Sequence, residues 1–249
     1  MSRAPDAFSD AALPLFGHAP DTPAGELPYV AGHRQRLRTR FNDGGPDAMP
    51  DYELLELILF NALPRGDVKP LAHRLIREFG DYARVLSAPK ARLLQVKGLG
   101  ERAVTELKIV EAAAHRLARA KMMNRTVLGS WDAVVEYCQT RMALQEVEHF
   151  RVLLLDRQNR LIADEELARG TVDHVPVYPR EVAKRALEKS ASAILLVHNH
   201  PSGDPSPSEA DIVMTKKIHA ACKVFDITLH DHLIIGQSQQ TSLRSLGHI

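Results

Sequence analysis

The sequence predicts an α/β domain with a mixed sheet, preceded by a small all-helical domain. Two observations carry this reading. From 51 to about 121, apolar residues recur at helical spacing without strand-like alternation. From 150 onward, short apolar segments bounded by turn residues alternate with helical stretches, as strands joined by crossover helices do. Three regions follow: an arm at 1–28, an all-helical domain at 29–122 and the α/β domain at 126–249.

Residues 1–28 are rich in Ala, Pro, Asp and Gly and lack periodicity, which predicts a flexible arm. Residues 33–40 (HRQRLRTR) hold four arginines in eight positions, as a solvated helix face or a phosphate contact would. Asp51 begins a helix whose apolar stripe includes Leu54, Leu57 and Ile58. Residues 70–79 predict a second helix stopped by Gly80, followed by short helices at 82–86 and 89–96. After Gly100 a long helix rich in Ala, Glu, Lys and Leu runs to about Lys121.

Residues 126–137 read as a connection and a short helix anchored by Trp131. FRVLLL at 150–155 predicts a buried strand, 156–159 a turn and 160–167 the second strand of a hairpin. Pro179 opens a helix over 180–189. AILLVH at 193–198 is a short, wholly apolar strand of the buried kind. A helix at 206–222 and a strand at 227–236 complete the domain.

Composition excludes several classes. The chain is 45% hydrophobic and 25% charged, an ordinary globular balance. No apolar run approaches the length needed to cross a bilayer, so no membrane partner is expected. No basic start leads into an apolar core, which argues against a secretory signal. Only Cys138 and Cys222 occur, without CxxC spacing, so a disulfide framework is excluded and a reducing cytoplasmic setting fits best. Residues 1–125 carry 19 Lys and Arg against 15 Asp and Glu, whereas residues 126–249 carry 13 against 16. That mild asymmetry permits a nucleic-acid contact in the first half without requiring one.

The chemistry concentrates in HNHPSGDPSPSEAD, residues 198–211. His198 and His200 stand two apart at a strand end, so both imidazoles point to one side. A loop stiffened by Pro201, Pro205 and Pro207 leads to a helix whose first turn carries Ser208 and Asp211 on one face. Two imidazoles and a carboxylate make a three-ligand zinc set with one position open. Ser206-Pro207-Ser208-Glu209 also reads as a capping box, with Pro207 at the first helical position. Capping accounts for Ser206 and Glu209, but not for the paired histidines.

A hydrolytic zinc site needs a carboxylate base. On the strand at 160–167, Leu161, Ala163, Glu165 and Leu167 share the inward face, and Glu166 meets solvent. An inward Glu165 implies either a base or a buried ion pair, for instance with Arg180. A second His-x-His pair, His230 and His232 around Asp231, lacks the helix that would complete a site, so Asp231 and His232 fit a supporting role. His174 is a lone histidine with no assigned role. HExxH, P-loop and zinc-deaminase signatures are missing.

Glu…His-x-His-x7-Ser-x2-Asp resembles the JAMM motif of MPN-domain metalloproteases. More narrowly, HNHPSGDPSPSEAD with Gly170-Thr171, Pro179-Arg180-Glu181 and Asp231-His232 resembles the bacterial RadC-like (UPF0758) family. The resemblance implies an MPN (JAB-like, cytidine-deaminase-like) fold, with His198, His200 and Asp211 as ligands of Zn2+. It implies Glu165 as general acid/base and Ser208 as an oxyanion-stabilising hydroxyl, acting on a peptide or isopeptide substrate. Asn199 departs from the Ser or Thr usual in eukaryotic deubiquitinating members. Lys97-Gly98-Leu99-Gly100-Glu101-Arg102 resembles the turn of a helix-hairpin-helix module, flanked by Leu93, Val96 and Leu107. Its glycines permit close backbone approach to a phosphate at a helix N-terminus, with Lys97 and Arg102 adding charge. DNA is therefore an expected partner of the N-terminal half, with protein docking as the other reading. The family name carries a DNA-repair association. In the alternative function, the chain is a DNA-associated protein and its MPN domain mainly a scaffold.

Overall fold

The structure, a computed structural model, describes residues 32–123, 126–170 and 177–249. The predicted arm at 1–28, Thr171 and His174 lie outside the described residues. The chain divides into two compact units, Met1–Ala48 and Met49–Ile249. In the first, α1 (His33–Gly44) is followed by a 3-10 turn (Pro46–Ala48). The arginine-rich segment is thus helical, and Arg36, Arg38 and Arg40 are exposed on it.

The second unit begins with α2 (Asp51–Ala62), α3 (Lys69–Phe79), α4 (Tyr82–Ser87), α5 (Lys90–Leu93) and α6 (Glu101–Met122). In α2, Asp51 and Glu53 lie in the first turn, where the helix dipole favours acids, and Leu55, Leu59 and Phe60 are buried. Asp81 caps α4 by accepting from the Arg84 N–H at 2.8 Å. The helix expected at 89–96 is a single turn. α6 buries Ala103, Val104 and Leu107 near its start. Near its end, Ala118 and Met122 join a core that also holds Val134, Cys138, Leu153 and Leu195, so the helical part and the sheet share packing.

The α/β part comprises α7 (Trp131–Met142), β1 (His149–Leu155), β2 (Leu161–Arg169), α8 (Pro179–Glu188), β3 (Ala193–Asn199), α9 (Glu209–Lys223), β4 (Thr228–Ile235) and β5 (Gln240–Ser242). The strand order is β2-β1-β3-β4-β5. β3 and β4 are parallel, with α9 between them in sequence; the other pairs are antiparallel. The sheet is therefore mixed, as predicted. Asp156 Oδ1 accepts from the Gln158 and Arg160 N–H groups, and Asn159 takes the left-handed conformation that closes the hairpin.

β1 and β3 lie at the centre and every residue in them is buried. One sheet face packs Leu153, Leu155, Leu195 and Val197 against α7 and the end of α6. The other packs Phe150, Val152, Ile194 and Leu196 against Val182 and Ala186 of α8 and Ile218 and Cys222 of α9. Cys138 and Cys222 are free and belong to cores on opposite faces. No described helix is long and apolar enough to cross a membrane.

Candidate metal centre

The sequence built this site from the end of β3 and the start of α9, and their caps explain its geometry. α9 begins at Glu209, not near 206, because Ser208 rather than Ser206 is its N-cap. The capping box is Ser208 with Asp211: Ser208 Oγ accepts from the Asp211 N–H at 3.1 Å, and Asp211 Oδ2 accepts from the Ser208 N–H at 2.8 Å. Ser208 Oγ–H also donates to Asp211 Oδ2 at 2.6 Å. Ser206 caps no helix; its N–H and hydroxyl both go to Asp204 Oδ1. Capping and ligand placement are therefore one device, since the bonds that start α9 also fix the Asp211 carboxylate.

His198, His200 and Asp211 converge. One ligand atom from each lies within 4.8 Å of the others. His198 Nε2 is 3.3 Å from Asp211 Oδ1 and 3.0 Å from His200 Nε2, while His200 Nε2 is 3.6 Å from Asp211 Oδ2. His198 is fully buried, Asp211 is buried at 8% exposure, and His200 is half-buried.

The hydrogen bonds fix the protonation of the cluster. Thr215 Oγ–H donates to the Asp211 carbonyl at 2.6 Å, so its oxygen accepts from His232 Nδ1–H, also at 2.6 Å. Burial pushes the His232 imidazole well below its ordinary pKa, so the ring is neutral and its Nε2 is an acceptor. That nitrogen accepts from His198 Nδ1–H at 2.8 Å. Burial also lowers His198, to about 4, which leaves its Nε2 a bare lone pair. His200 Nδ1–H donates to the Asp204 carbonyl at 2.8 Å and points its own Nε2 inward. Burial works to raise Asp211, but hydrogen bonding to His200, the His198 imidazole and Ser208 outweigh it and hold the carboxyl well below its usual range. Acceptor thus faces acceptor across the cluster, and only a cation relieves that. A proton on His200 relieves part of it, and the hydrogen bond to Asp211 raises His200 accordingly. Two imidazole nitrogens and a carboxylate fit a divalent ion of the zinc type.

The loop that carries His200 is held by close backbone contact. The His200 N–H donates to the Ile235 carbonyl at 2.9 Å, and the Gln237 N–H to the Gly203 carbonyl at 3.1 Å. A Cβ on Gly236 would meet Gly203 O at 2.4 Å and Pro205 Cδ at 2.9 Å, so only glycine admits this approach.

Asn199, between the two histidines, faces the other way and is 1% exposed. Its Oδ1 accepts from the His149 N–H at 2.8 Å and its Nδ2 donates to the Val147 carbonyl at 3.1 Å. It clamps both neighbours of Glu148. Phe150 pairs with His198 in the β1–β3 ladder and stacks on it at 6.2 Å; strand alternation carried two residues back, just before β1, puts Glu148 on that same face. The charge of Glu148 is among the influences that raise His200. Sequence reasoning missed this residue. Its one signal was position: two residues before Phe150 at the start of the strand that pairs with the histidine strand.

Glu165 shares the inward face, as predicted, but pairs in register with Val152, which pairs with Leu196; Ala168 is the β2 residue level with Phe150 and His198. Its carboxylate meets Arg185 Nε at 3.4 Å and Lys189 Nζ at 3.7 Å. Arg180 instead meets Glu181 at 3.5 Å. Asp231 accepts from the N–H groups of His232 and Arg244 and from Ser242 Oγ, fastening β4 to the C-terminal segment. His230 meets Asn159 Oδ1. Lys97, Gly98, Gly100 and Arg102 are all exposed on the hairpin joining α5 to α6 and are not part of this cluster.

Residues 128–248 match the RadC-like JAB domain family. A UPF0758 protein of Ruegeria pomeroyi is 63% identical over 221 residues, covering 89% of this chain and 99% of its own. Another, of Rhodobacter capsulatus, is 64% identical over 211 residues, covering 85% of this chain and 99% of its own.

Proposed function

Starting from the fact that this chain belongs to the RadC-like (UPF0758) family, we propose that it is a zinc-dependent hydrolase of amide bonds, of the peptidase or isopeptidase kind, working in the cytosol. The observation that carries the reading is the convergence of two imidazole nitrogens and a carboxylate. When bound, zinc supplies Lewis acidity to a water and to a substrate carbonyl. The residues of the chain do the rest. His198, His200 and Asp211 hold the ion. Glu148, clamped beside His200, takes a proton from the attacking water and returns it to the leaving amine. Ser208 fixes Asp211 through its hydroxyl hydrogen and reaches a developing oxyanion only by turning that hydrogen away from Asp211 Oδ2. Glu148 is preferred to Glu165 as the proton carrier because its charge acts on His200, whereas Glu165 lies level with Val152 and Leu196 and meets Arg185 and Lys189.

The test compares the zinc-loaded protein with Glu148→Gln and Glu165→Gln on unblocked and isopeptide-linked peptides. Glu148→Gln should keep its zinc and lose roughly 10²–10⁴ in rate, with Glu165→Gln near wild type. Full activity in Glu148→Gln sinks the assigned role, and the reverse ranking restores Glu165.

A second reading concerns DNA. Lys97, Gly98, Gly100 and Arg102 are exposed together on one turn, with Gly98 at φ +95°. That arrangement suits contact with a phosphate backbone and would make the chain a DNA-associated protein with the hydrolase-like domain as scaffold. Glu101, in the first turn of α6, competes with an incoming phosphate and is paired with Lys90 at 2.6 Å. Salt-dependent binding to duplex DNA, lost in Lys97→Ala with Arg102→Ala, supports this reading; no binding at low salt removes it.

A further inference from the structure

On the sheet face opposite His198 lies a second polar cavity, of about 320 Å³, between α6, α7 and the β1–β2 edge. His115, Arg141, Gln145, His149, Arg151 and Glu166 line it. It stands apart from the metal cluster because strand alternation turns His149 and Arg151 away from Phe150 and His198.

Its charges are unevenly paired. Arg151, 7% exposed, is matched by Asp164 at 2.8 Å and Glu166 at 2.9 Å. Glu111, also on the wall, is matched by Lys108 at 2.9 Å. Arg141 has no carboxylate within ion-pair distance among the described residues. Its Nη1 donates to His115 Nδ1 at 3.0 Å. His115 Nε2–H donates to the Thr140 carbonyl at 3.2 Å, so that imidazole is a neutral acceptor. The cavity's charges therefore sum to zero, with two carboxylates drawn to Arg151 and none to Arg141.

Its hydrogen bonds are also incomplete. Arg141 Nε is buried and has no partner. His149 is 7% exposed; its Nδ1–H donates to Glu166 Oε2 at 3.0 Å, and its Nε2 is buried without a partner. Buried unpaired polar atoms cost free energy, and two lining one cavity, a donor on a guanidinium that meets no carboxylate and an imidazole acceptor, suit a polar ligand that can both accept and donate.

We propose that this cavity binds a small phosphate, either free or as a compact monoester, with Arg141 supplying charge and Nε–H and His149 Nε2 facing the ligand's oxygens. Phosphate near neutral pH offers both bare oxygens and a P–OH, so it can accept from Arg141 and meet His149 Nε2. Sulfate offers only bare oxygens. Occupancy bears on His149, whose backbone N–H is held by Asn199 and whose preceding residue is Glu148. This inference does not rest on the metal reading.

The experiment titrates the full chain with inorganic phosphate, glycerol phosphate and sulfate at constant ionic strength, by calorimetry. Phosphate or its monoester should bind in the millimolar range and more tightly than sulfate; whichever of the two binds better identifies the form taken. Arg141→Gln should weaken binding by about tenfold or more, as loss of a charge-assisted bond implies. Arg141→Lys, which keeps the charge but lacks Nε–H, should fall between and covers the case in which Arg141→Gln does not fold. No binding to wild type, or binding unchanged in either variant, overturns the proposal.

Discussion

His232 donates its Nδ1 hydrogen to Thr215 Oγ at 2.6 Å, and that bond decides which nitrogen of His198 carries the hydrogen and leaves its Nε2 facing His200 and Asp211. The order of donors runs from Thr215 through His232 to His198, with each hydrogen placed by the one before. A hydroxyl that touches no ligand side chain therefore sets the ligand's tautomer.

Thr215→Val keeps the shape and removes the acceptor for His232. Zinc affinity, measured by competition with a chromophoric chelator, should fall about 10- to 100-fold. Thr215→Ser should retain wild-type affinity, and equal affinity in all three proteins refutes the relay.

Gly236→Ala places a methyl 2.4 Å from Gly203 O. The His200 loop must shift, at a cost of about 1–3 kcal/mol, as overpacking costs elsewhere. The expected protein folds, with native circular dichroism, but binds less than one zinc per chain. Full zinc content contradicts the constraint.

Ser208→Ala removes the N-cap of α9. Urea unfolding should show a loss of about 1 kcal/mol, the usual worth of such a cap. It also releases Asp211 Oδ2, so zinc affinity should drop in the same variant. A stability loss with unchanged affinity would separate the cap from the ligand.

In the metal-free protein, stability should fall with acid. Burial depresses folded His198 to about 4, against about 6.5 unfolded. Between those values the unfolded chain binds more protons, so this contribution is complete above 6.5 and lost towards 4, a change of order 3 kcal/mol. His232, lowered by burial, acts in the same direction. His200, raised by its bond to Asp211, acts oppositely and offsets part of the change. The urea midpoint should therefore be lower at pH 5 than at pH 7.5; a higher midpoint at pH 5 rejects the balance.

Sequence reading reached the His198–His200–Asp211 cluster because its residues lie on regular elements with fixed periods. Two residues along a strand and three along a helix give facing directions without knowledge of the fold, so His198, His200, Ser208 and Asp211 were legible, as was the mixed sheet. It placed the start of α9 three residues early because Ser206 and Ser208 offer the same capping chemistry, and only the Asp211 carboxylate distinguishes them. It selected Glu165 because that residue's facing direction was readable. Its partners were not, since Arg185 and Lys189 come from a helix whose docking no local pattern encodes. Glu148 was passed over because it precedes its strand, and only the Asn199 clamp extends strand geometry that far back.

The Asn199 clamp also makes the turn before β1 intolerant of length change. Because side chains alternate, sliding β1 by one position would present His149 to the His198–His200–Asp211 cluster and Glu148 to the polar cavity on the other face, exchanging an acid for an imidazole at two places at once. A single insertion or deletion between 143 and 147 should thus be more damaging than most substitutions there, since it reassigns both faces of the strand together.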